Sequence, residues 1–193
     1  YAQGLSLEIG GSHYILVAAH TVIGAEQIIV ECNRQRTTAR VEWYATMDPN
    51  KCDLALLKPE RMVCERALRL DEILTDEELV QQVLPKGRTL LYMFQNGFVA
   101  EKFAFIGERY KYHYEHNGNS FPIFYWAIRN SVIKNGMSGA PLFLADSGQL
   151  VGIISGSGKV LINGEHITIG VVISNNTILW FLREFHEFQK KAR

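Results

Sequence analysis

Asn135-Gly136-Met137-Ser138-Gly139-Ala140-Pro141 sets a hydroxyl between two glycines, and a proline soon ends the turn. Gly136 and Gly139 have no Cβ, so the backbone around Ser138 is free to bend tightly and to aim its N–H groups at one point. Donors converging in this way hold the oxyanion of a tetrahedral intermediate, which makes the heptapeptide a candidate nucleophile loop. Taken alone, the same residues describe an ordinary surface turn rich in Gly, Ser and Pro. The flanking sequence separates the two readings.

Downstream, Leu142 to Leu144, a turn at Asp146-Ser147-Gly148, and Leu150 to Ser155 form a hairpin leading out of the loop. Val160–Ile162 and His166–Thr168 flank Asn163-Gly164, a strong two-residue turn signal, and Gly170–Ile173 is a last strand. Asn175 or Asn176 caps a helix running to about Gln189, with Ile178, Leu179, Phe181, Leu182, Phe185 and Phe188 as its apolar face. Upstream, strands are expected over Arg88–Phe94, Phe98–Ile106, Tyr110–Tyr114 and Phe121–Ile128, with a turn at Asn96-Gly97 and a mobile loop over the polar His113–Ser120. Acidic clusters and helical spacing between Pro59 and Pro85, from Thr75 to Val83 in particular, mark a connection between two halves.

The first half opens with apolar runs on either side of Gly10-Gly11, a β-hairpin that ends at Ala18-Ala19-His20-Thr21-Val22. Gln27–Glu31 and Thr38–Tyr44, rich in β-branched and aromatic residues, are the next strands. Cys52-Asp53-Leu54-Ala55-Leu56-Leu57-Lys58 then puts a carboxylate just ahead of an apolar strand. An aspartate entering a core needs a partner, because an unpaired buried carboxylate is costly, and a histidine is an obvious one.

The 193 residues suit one large domain or two small barrels sharing an interface, and a hydrophobic content of 47% suffices for a sizeable core. Lys plus Arg number 20 and so do Asp plus Glu, which removes a global electrostatic case for nucleic acid or an anionic membrane. No apolar run is long enough to span a bilayer, so no membrane contact is expected, and a start at Tyr1 without a signal core suggests a segment excised from a longer precursor. The three cysteines, Cys32, Cys52 and Cys64, are odd in number and lack metal-type spacing, which implies free thiols in a reducing, cytoplasmic compartment. None lies in a glycine-rich turn, so they read as small buried hydrophobes rather than nucleophiles.

Ala18-Ala19-His20, Asp53-Leu54-Ala55-Leu56-Leu57 and Gly136-Met137-Ser138-Gly139-Ala140-Pro141-Leu142 stand in the chain order of the chymotrypsin-like serine proteases, 33 and then 85 positions apart. The chain resembles that family over nearly its whole length. The resemblance implies an all-β fold of two six-stranded antiparallel Greek-key β-barrels with a C-terminal α-helix. Residues 1–70 would be the barrel carrying His20 and Asp53, 71–87 the connection, 88–175 the barrel carrying Ser138, and 176–193 the helix. Met137 stands where secreted members carry the aspartate that pairs with a freed N-terminus, so activation by that ion pair is excluded. The compact length, free cysteines and Gly-x-Ser-Gly-x-Pro loop look more like the polyprotein-processing main proteases of positive-strand RNA viruses. Bacterial high-temperature-requirement proteases are the second relative.

The resemblance implies amide hydrolysis of a polypeptide, including the chain's own precursor polyprotein, without a cofactor or metal. His20 would act as general base and then acid, Asp53 as its orienter and Ser138 as nucleophile, with the N–H groups of Gly136 and Ser138 as oxyanion hole. The walls of the pocket for the residue before the cleaved bond would be Val132, Ile133, Lys134 and Asn135, then Ser155, Gly156 and Ser157, then Gly170. Val132 and Ile133 put apolar groups near its base and no carboxylate falls in these segments, so an uncharged residue, apolar or glutamine, is expected there. The alternative from another class is an inactive protease-fold module that binds extended peptides by strand addition; a third is a protease that also binds RNA.

Other candidates weigh less. His113, His116 and His166 lack a carboxylate or cysteine ligand nearby and read as solvated histidines rather than a metal site. Asp48, ahead of Pro49, is a turn former rather than the triad acid. Lys190, Lys191 and Arg193 read as a frayed helix end rather than an RNA anchor.

Overall fold

The computed structural model describes residues 1–44, 52–83, 89–94, 97–102, 104–116, 119–129, 133 and 136–191. Alternation builds its first strand: in β1 (Gly4–Ile9) Leu5, Leu7 and Ile9 are buried and the residues between them less so, the period-two pattern of a sheet with one face on the core. β2 (Ser12–Val17) returns antiparallel across Gly10-Gly11, pairing Ile9 with Ser12. Its last four residues, Tyr14 to Val17, are buried without alternation, because β2 is covered on both faces.

β3 (Ile28–Cys32), β4 (Gln35–Tyr44), β5 (Ala55–Pro59) and β6 (Leu68–Arg69) complete a six-stranded sheet in the order β3-β4-β5-β2-β1-β6. Leu16 and Leu56 point to one side, into a cluster that also takes Ile123, Leu150, Ile153, Ile173 and Phe181 from the rest of the chain. Ile15, Val17, Ala55 and Leu57 point to the other, where Ile28, Val30, Ala39 and Val41 pack on them. The first cluster ties the halves together, and the second lies within the first half.

The second sheet contains seven strands among the described residues, β7 (Thr89–Phe94), β8 (Gly97–Lys102), β9 (Ala104–His116), β10 (Asn119–Arg129), β11 (Pro141–Leu144), β12 (Leu150–Ile162) and β13 (Glu165–Ser174). Their order is β8-β7-β11-β12-β13-β10-β9, one strand more than the six expected. Of the polar His113–Ser120, expected as a loop, His113–His116 and Asn119–Ser120 are instead strand, His116 pairing with Asn119 and Glu115 with Ser120. Strand pairing is made by backbone groups and needs no apolar pattern. Likewise Gly156–Lys159, which lies between the expected strands Leu150–Ser155 and Val160–Ile162, belongs to one continuous strand, with a bulge between Ile154 and Gly156 taking up the irregularity. The Asn163-Gly164 turn is as expected, with φ of 51° and 83°, the left-handed pair that a tight hairpin requires.

Two helices complete the fold, α1 (Asp76–Val83) and α2 (Asn175–Lys191). Thr75 and Glu78 cap α1 reciprocally: the Thr75 N–H donates to Glu78 Oε2 at 2.7 Å and the Glu78 N–H to Thr75 Oγ1 at 3.3 Å. The helix starts are also locked together, since the Asp76 N–H donates to Asn176 Oδ1 at 2.9 Å and the Asn176 N–H to Asp76 Oδ1 at 3.2 Å. α2 buries Ile178, Phe181, Leu182 and Phe185 and reaches the first sheet, where Phe185 meets Tyr14 edge to face at 5.2 Å. The molecule is mostly β, in two sheets with a C-terminal helix.

Candidate active site

His20 sits on a single 3₁₀ turn, Ala19–Thr21, at the end of β2. Thr21 fixes that turn, its N–H and its hydroxyl both donating to the Ala18 carbonyl at 3.1 and 2.6 Å. Asp53 lies at the entry to β5, 3% exposed, and the Ala19 N–H donates to its carbonyl at 3.2 Å. Because β2 and β5 pair as neighbours, with Val17 opposite Ala55, the residues just past their facing ends fall side by side. Sheet register therefore brings together two residues 33 positions apart.

The contacts assign the protons. Asp53 Oδ1 accepts the His20 backbone N–H at 2.9 Å, and Oδ2 lies 2.8 Å from His20 Nδ1. A carboxylate only accepts, so Nδ1 carries a hydrogen, and in the neutral ring Nε2 presents a lone pair. Ser138 Oγ is 3.1 Å from that Nε2, placed so that its hydroxyl donates to the ring. The histidine side chain is 41% exposed and the aspartate side chain 4%, so the ring faces solvent while its orienting carboxylate is sealed beneath it.

Sequence reasoning missed one partner. The Ser155 hydroxyl donates to Asp53 Oδ2 at 2.5 Å, which makes this serine a support of the carboxylate as well as a residue of the expected cleft wall. A serine within an apolar strand carries no signal of such a contact, because the aspartate lies 102 positions away.

The Ser138 loop is held from both halves of the chain. The Gly139 N–H donates to the Ile154 carbonyl at 2.7 Å, the Ile154 N–H to the Ala140 carbonyl at 2.9 Å, and the Gln3 N–H to the Ser138 carbonyl at 2.9 Å. Gly136 and Gly139 have φ of 90° and 85°, and a Cβ on Gly139 would meet the Gln3 carbonyl oxygen; only glycine turns there at low cost. Met137 is buried to 1% exposure in a cluster with Leu79 of α1, Leu142 and Ile154. The loop is thus anchored by hydrocarbon where an ion pair was excluded by sequence. Among the described residues no backbone acceptor takes the N–H of Gly136 or Ser138.

Of the other expected wall residues, Ser155, Gly156 and Ser157 lie on β12 and Gly170 on β13 opposite Ser157, and Ile133 packs on the cluster to which Ile128 and Met137 belong. Val132, Lys134 and Asn135 lie outside the described residues, as do Asp48 and Arg193. β11 pairs with β12 only as far as Ile153, so beyond Ile154 one edge of β12 has no described neighbour.

The cysteines take no part. Burial, reinforced by the charge of Asp53, pushes the Cys52 thiol up to about 12. Burial and the neighbouring Cys32 push Cys64 up to about 12 as well. Thiols so raised stay protonated and unreactive at neutral pH. Among the described residues no group of three or more His, Cys, Asp or Glu side chains comes together to hold a metal, and no helix is long and apolar enough to cross a membrane. Lys190 of the basic tail pairs with Glu187 at 2.7 Å.

No family model matches the sequence, and no curated protein does. Solved structures do. Rv3671c from M. tuberculosis, in an inactive form, superposes with a TM-score of 0.66 at 18% identity, over 97% of this chain and 82% of that one. The MamO protease domain from Magnetospirillum magneticum follows at 0.57 and 17%, over 93% and 86%. The fold is that of the chymotrypsin-like serine proteases. A chymotrypsin-like fold explains why His20 and Asp53 come from one sheet and Ser138 from the other: the three converge where the two sheets meet.

Proposed function

We propose that this chain is a serine endopeptidase that hydrolyses peptide bonds through Ser138, His20 and Asp53. The observation that carries the proposal is the relay itself, Ser138 Oγ to His20 Nε2 at 3.1 Å and His20 Nδ1 to Asp53 Oδ2 at 2.8 Å. His20 takes the Ser138 proton as Oγ attacks the carbonyl carbon, and returns it to the departing amine, leaving an ester on Ser138. Water, deprotonated by the same ring, then attacks the ester; the acid product leaves and Ser138 regains its hydrogen. The N–H groups of Gly136 and Ser138 hold the oxyanion in both steps. Substrate adds as a strand along the free edge of β12 at Ser155–Ser157, so its main chain supplies affinity and its side chains selectivity.

Each sheet curls into a Greek-key barrel in this reading. For the first, the Cys64 thiol against Cys32 of the edge strand β3 and Ser6 of β1, next to the opposite edge, supports closure. The substrate is a polypeptide, and processing of the chain's own precursor polyprotein follows from the viral-type loop and the free thiols. A cellular protease of bacterial type is the second reading, favoured by the likeness to the Rv3671c and MamO folds. A fluorophosphonate probe tests the chemistry: it labels the wild-type chain, and Ser138→Ala abolishes labelling. An unlabelled wild-type protein would instead identify an inactive peptide-binding module. Mass spectrometry of peptides released from the precursor separates the two substrate readings.

A further inference from the structure

The described floor of the cleft is already occupied. Gly139 N–H on the Ile154 carbonyl ties the Ser138 loop to β12, and from Ser155 onward one edge of β12 has no neighbour among the described residues. A peptide lying along that edge, its scissile carbonyl at Ser138, sets the side chain before the cleaved bond between Ser155–Ser157 on one side and Ile133 and Gly136 on the other. Beneath that bay is Gly170, paired with Ser157 on one side and Ile128 on the other. A glycine there leaves a hollow, and the question is what fills it.

Ile133 does. An ideal Cβ on Gly170 would stand within contact-breaking range of Ile133 Cδ1, with Ile128 Cγ1 at 2.8 Å behind it. Ile128 is fully buried and belongs to the core, whereas Ile133 is only partly buried. The space released by the missing side chain of Gly170 is therefore taken up by the protein's own hydrocarbon.

We propose that Ile133 is a specificity-determining residue that closes the floor of this pocket, so that the enzyme cleaves after short uncharged side chains, alanine first and valine next. This rests on the protease reading above. Long side chains are excluded by length: leucine exceeds alanine by three carbons, and a misfit of a single methylene in an apolar pocket already costs about tenfold or more in kcat/KM. Glutamine and lysine are excluded twice, since hydrocarbon at the floor also leaves their polar ends unpaired. The apolar-or-glutamine alternative that sequence left open thus narrows to short and apolar.

Ile133→Ala removes the same three carbons by which leucine exceeds alanine, so enzyme and substrate changes should compensate. Peptides differing only in this residue (Ala, Val, Leu, Phe, Gln, Lys) are presented to the wild-type and Ile133→Ala chains, and kcat/KM is measured for each. Wild type should favour Ala over Leu by at least tenfold, and Ile133→Ala should move the Leu-to-Ala ratio at least tenfold toward Leu. Ile133→Val, which removes one carbon, should move it the same way by less and guards against a misfolded alanine variant. Binding of the corresponding product peptides, each ending in the tested residue, to Ser138→Ala chains with and without the Ile133 changes should show the same shift. That arm reads the pocket even if no peptide is cleaved, so absence of catalysis counts against the protease reading alone. Best cleavage or binding after Leu, Phe, Gln or Lys in wild type overturns the proposal, as does a ratio unmoved by folded Ile133 variants.

Discussion

Asp53→Asn separates a catalytic role from a structural one. In the native site Oδ1 accepts the His20 backbone N–H at 2.9 Å while Oδ2 accepts from His20 Nδ1 and from Ser155 Oγ, at 2.8 and 2.5 Å. An asparagine can keep its oxygen on only one side. Placed toward Oδ2, its NH₂ would confront a backbone N–H that cannot turn, a buried unmade hydrogen bond costing about 1–3 kcal/mol. The amide therefore places its oxygen toward the backbone and its NH₂ toward the imidazole and Ser155. The Ser155 hydroxyl can rotate to accept, but the ring can accept at Nδ1 only by moving its hydrogen to Nε2. That hydrogen then points at Ser138 Oγ, and no base remains to take the serine proton. Turnover should fall on the order of 10⁴, the loss found for the same change in the parent triad, equivalent to about 5.5 kcal/mol of transition-state stabilisation. Folding stability should move much less, since losing charge-assisted bonds is offset by no longer burying a charge. The assay pairs peptide-hydrolysis rates with a thermal melt. Turnover within tenfold of wild type in a folded Asp53→Asn protein would refute the tautomer argument.

Other outcomes follow from the same geometry. Ser155→Ala removes the 2.5 Å donor to Asp53, a charge-assisted bond worth about 1.5–3 kcal/mol; kcat should drop about tenfold, and an unchanged kcat would mean that the carboxylate needs no second support. Gly139→Ala forces a side chain onto a φ of 85° and against the Gln3 carbonyl, so the variant should melt lower by an amount equivalent to about 2 kcal/mol and lose activity; a wild-type melt would show that the loop moves freely there. Cys52, raised from 9.0 to about 12 in the folded chain, ionises first in the unfolded chain. Its contribution is therefore complete below about pH 9 and falls by about 1.4 kcal/mol per pH unit as pH climbs toward the folded value. Denaturant melts of wild type and Cys52→Ala from pH 8 to 11 should diverge in slope, and parallel curves would contradict the buried thiol.

Local signals in the chain settle the local elements. Alternation marked β1, Gly10-Gly11 and Asn163-Gly164 marked their hairpins, and Asn175 with an apolar face behind it marked α2, because each depends on neighbours within a few residues. Glycine-flanked Ser138, a histidine ending an apolar strand, and an aspartate starting another were visible for the same reason, and their order pointed to one family. Where apolar pattern and backbone pairing part company, at His113–His116, Asn119–Ser120 and Gly156–Lys159, sequence underestimated the strands: ladders are made by peptide groups that nearly every residue carries.

Tertiary structure alone decided what stands next to what. The β2–β5 register brings His20 onto Asp53, and the bond from Gly139 to Ile154 ties the loop to β12. Ser155 could be recognised as the carboxylate's second partner only once both sheets were in place, since a hydroxyl reports nothing about a contact 102 positions away. Ile133 is the same case: its sequence shows an apolar residue near a nucleophile loop, but that it fills the hollow beside Gly170 depends on two strands and a loop meeting. Composition and period are properties of a segment, whereas the filling of a cavity is a property of the segments around it.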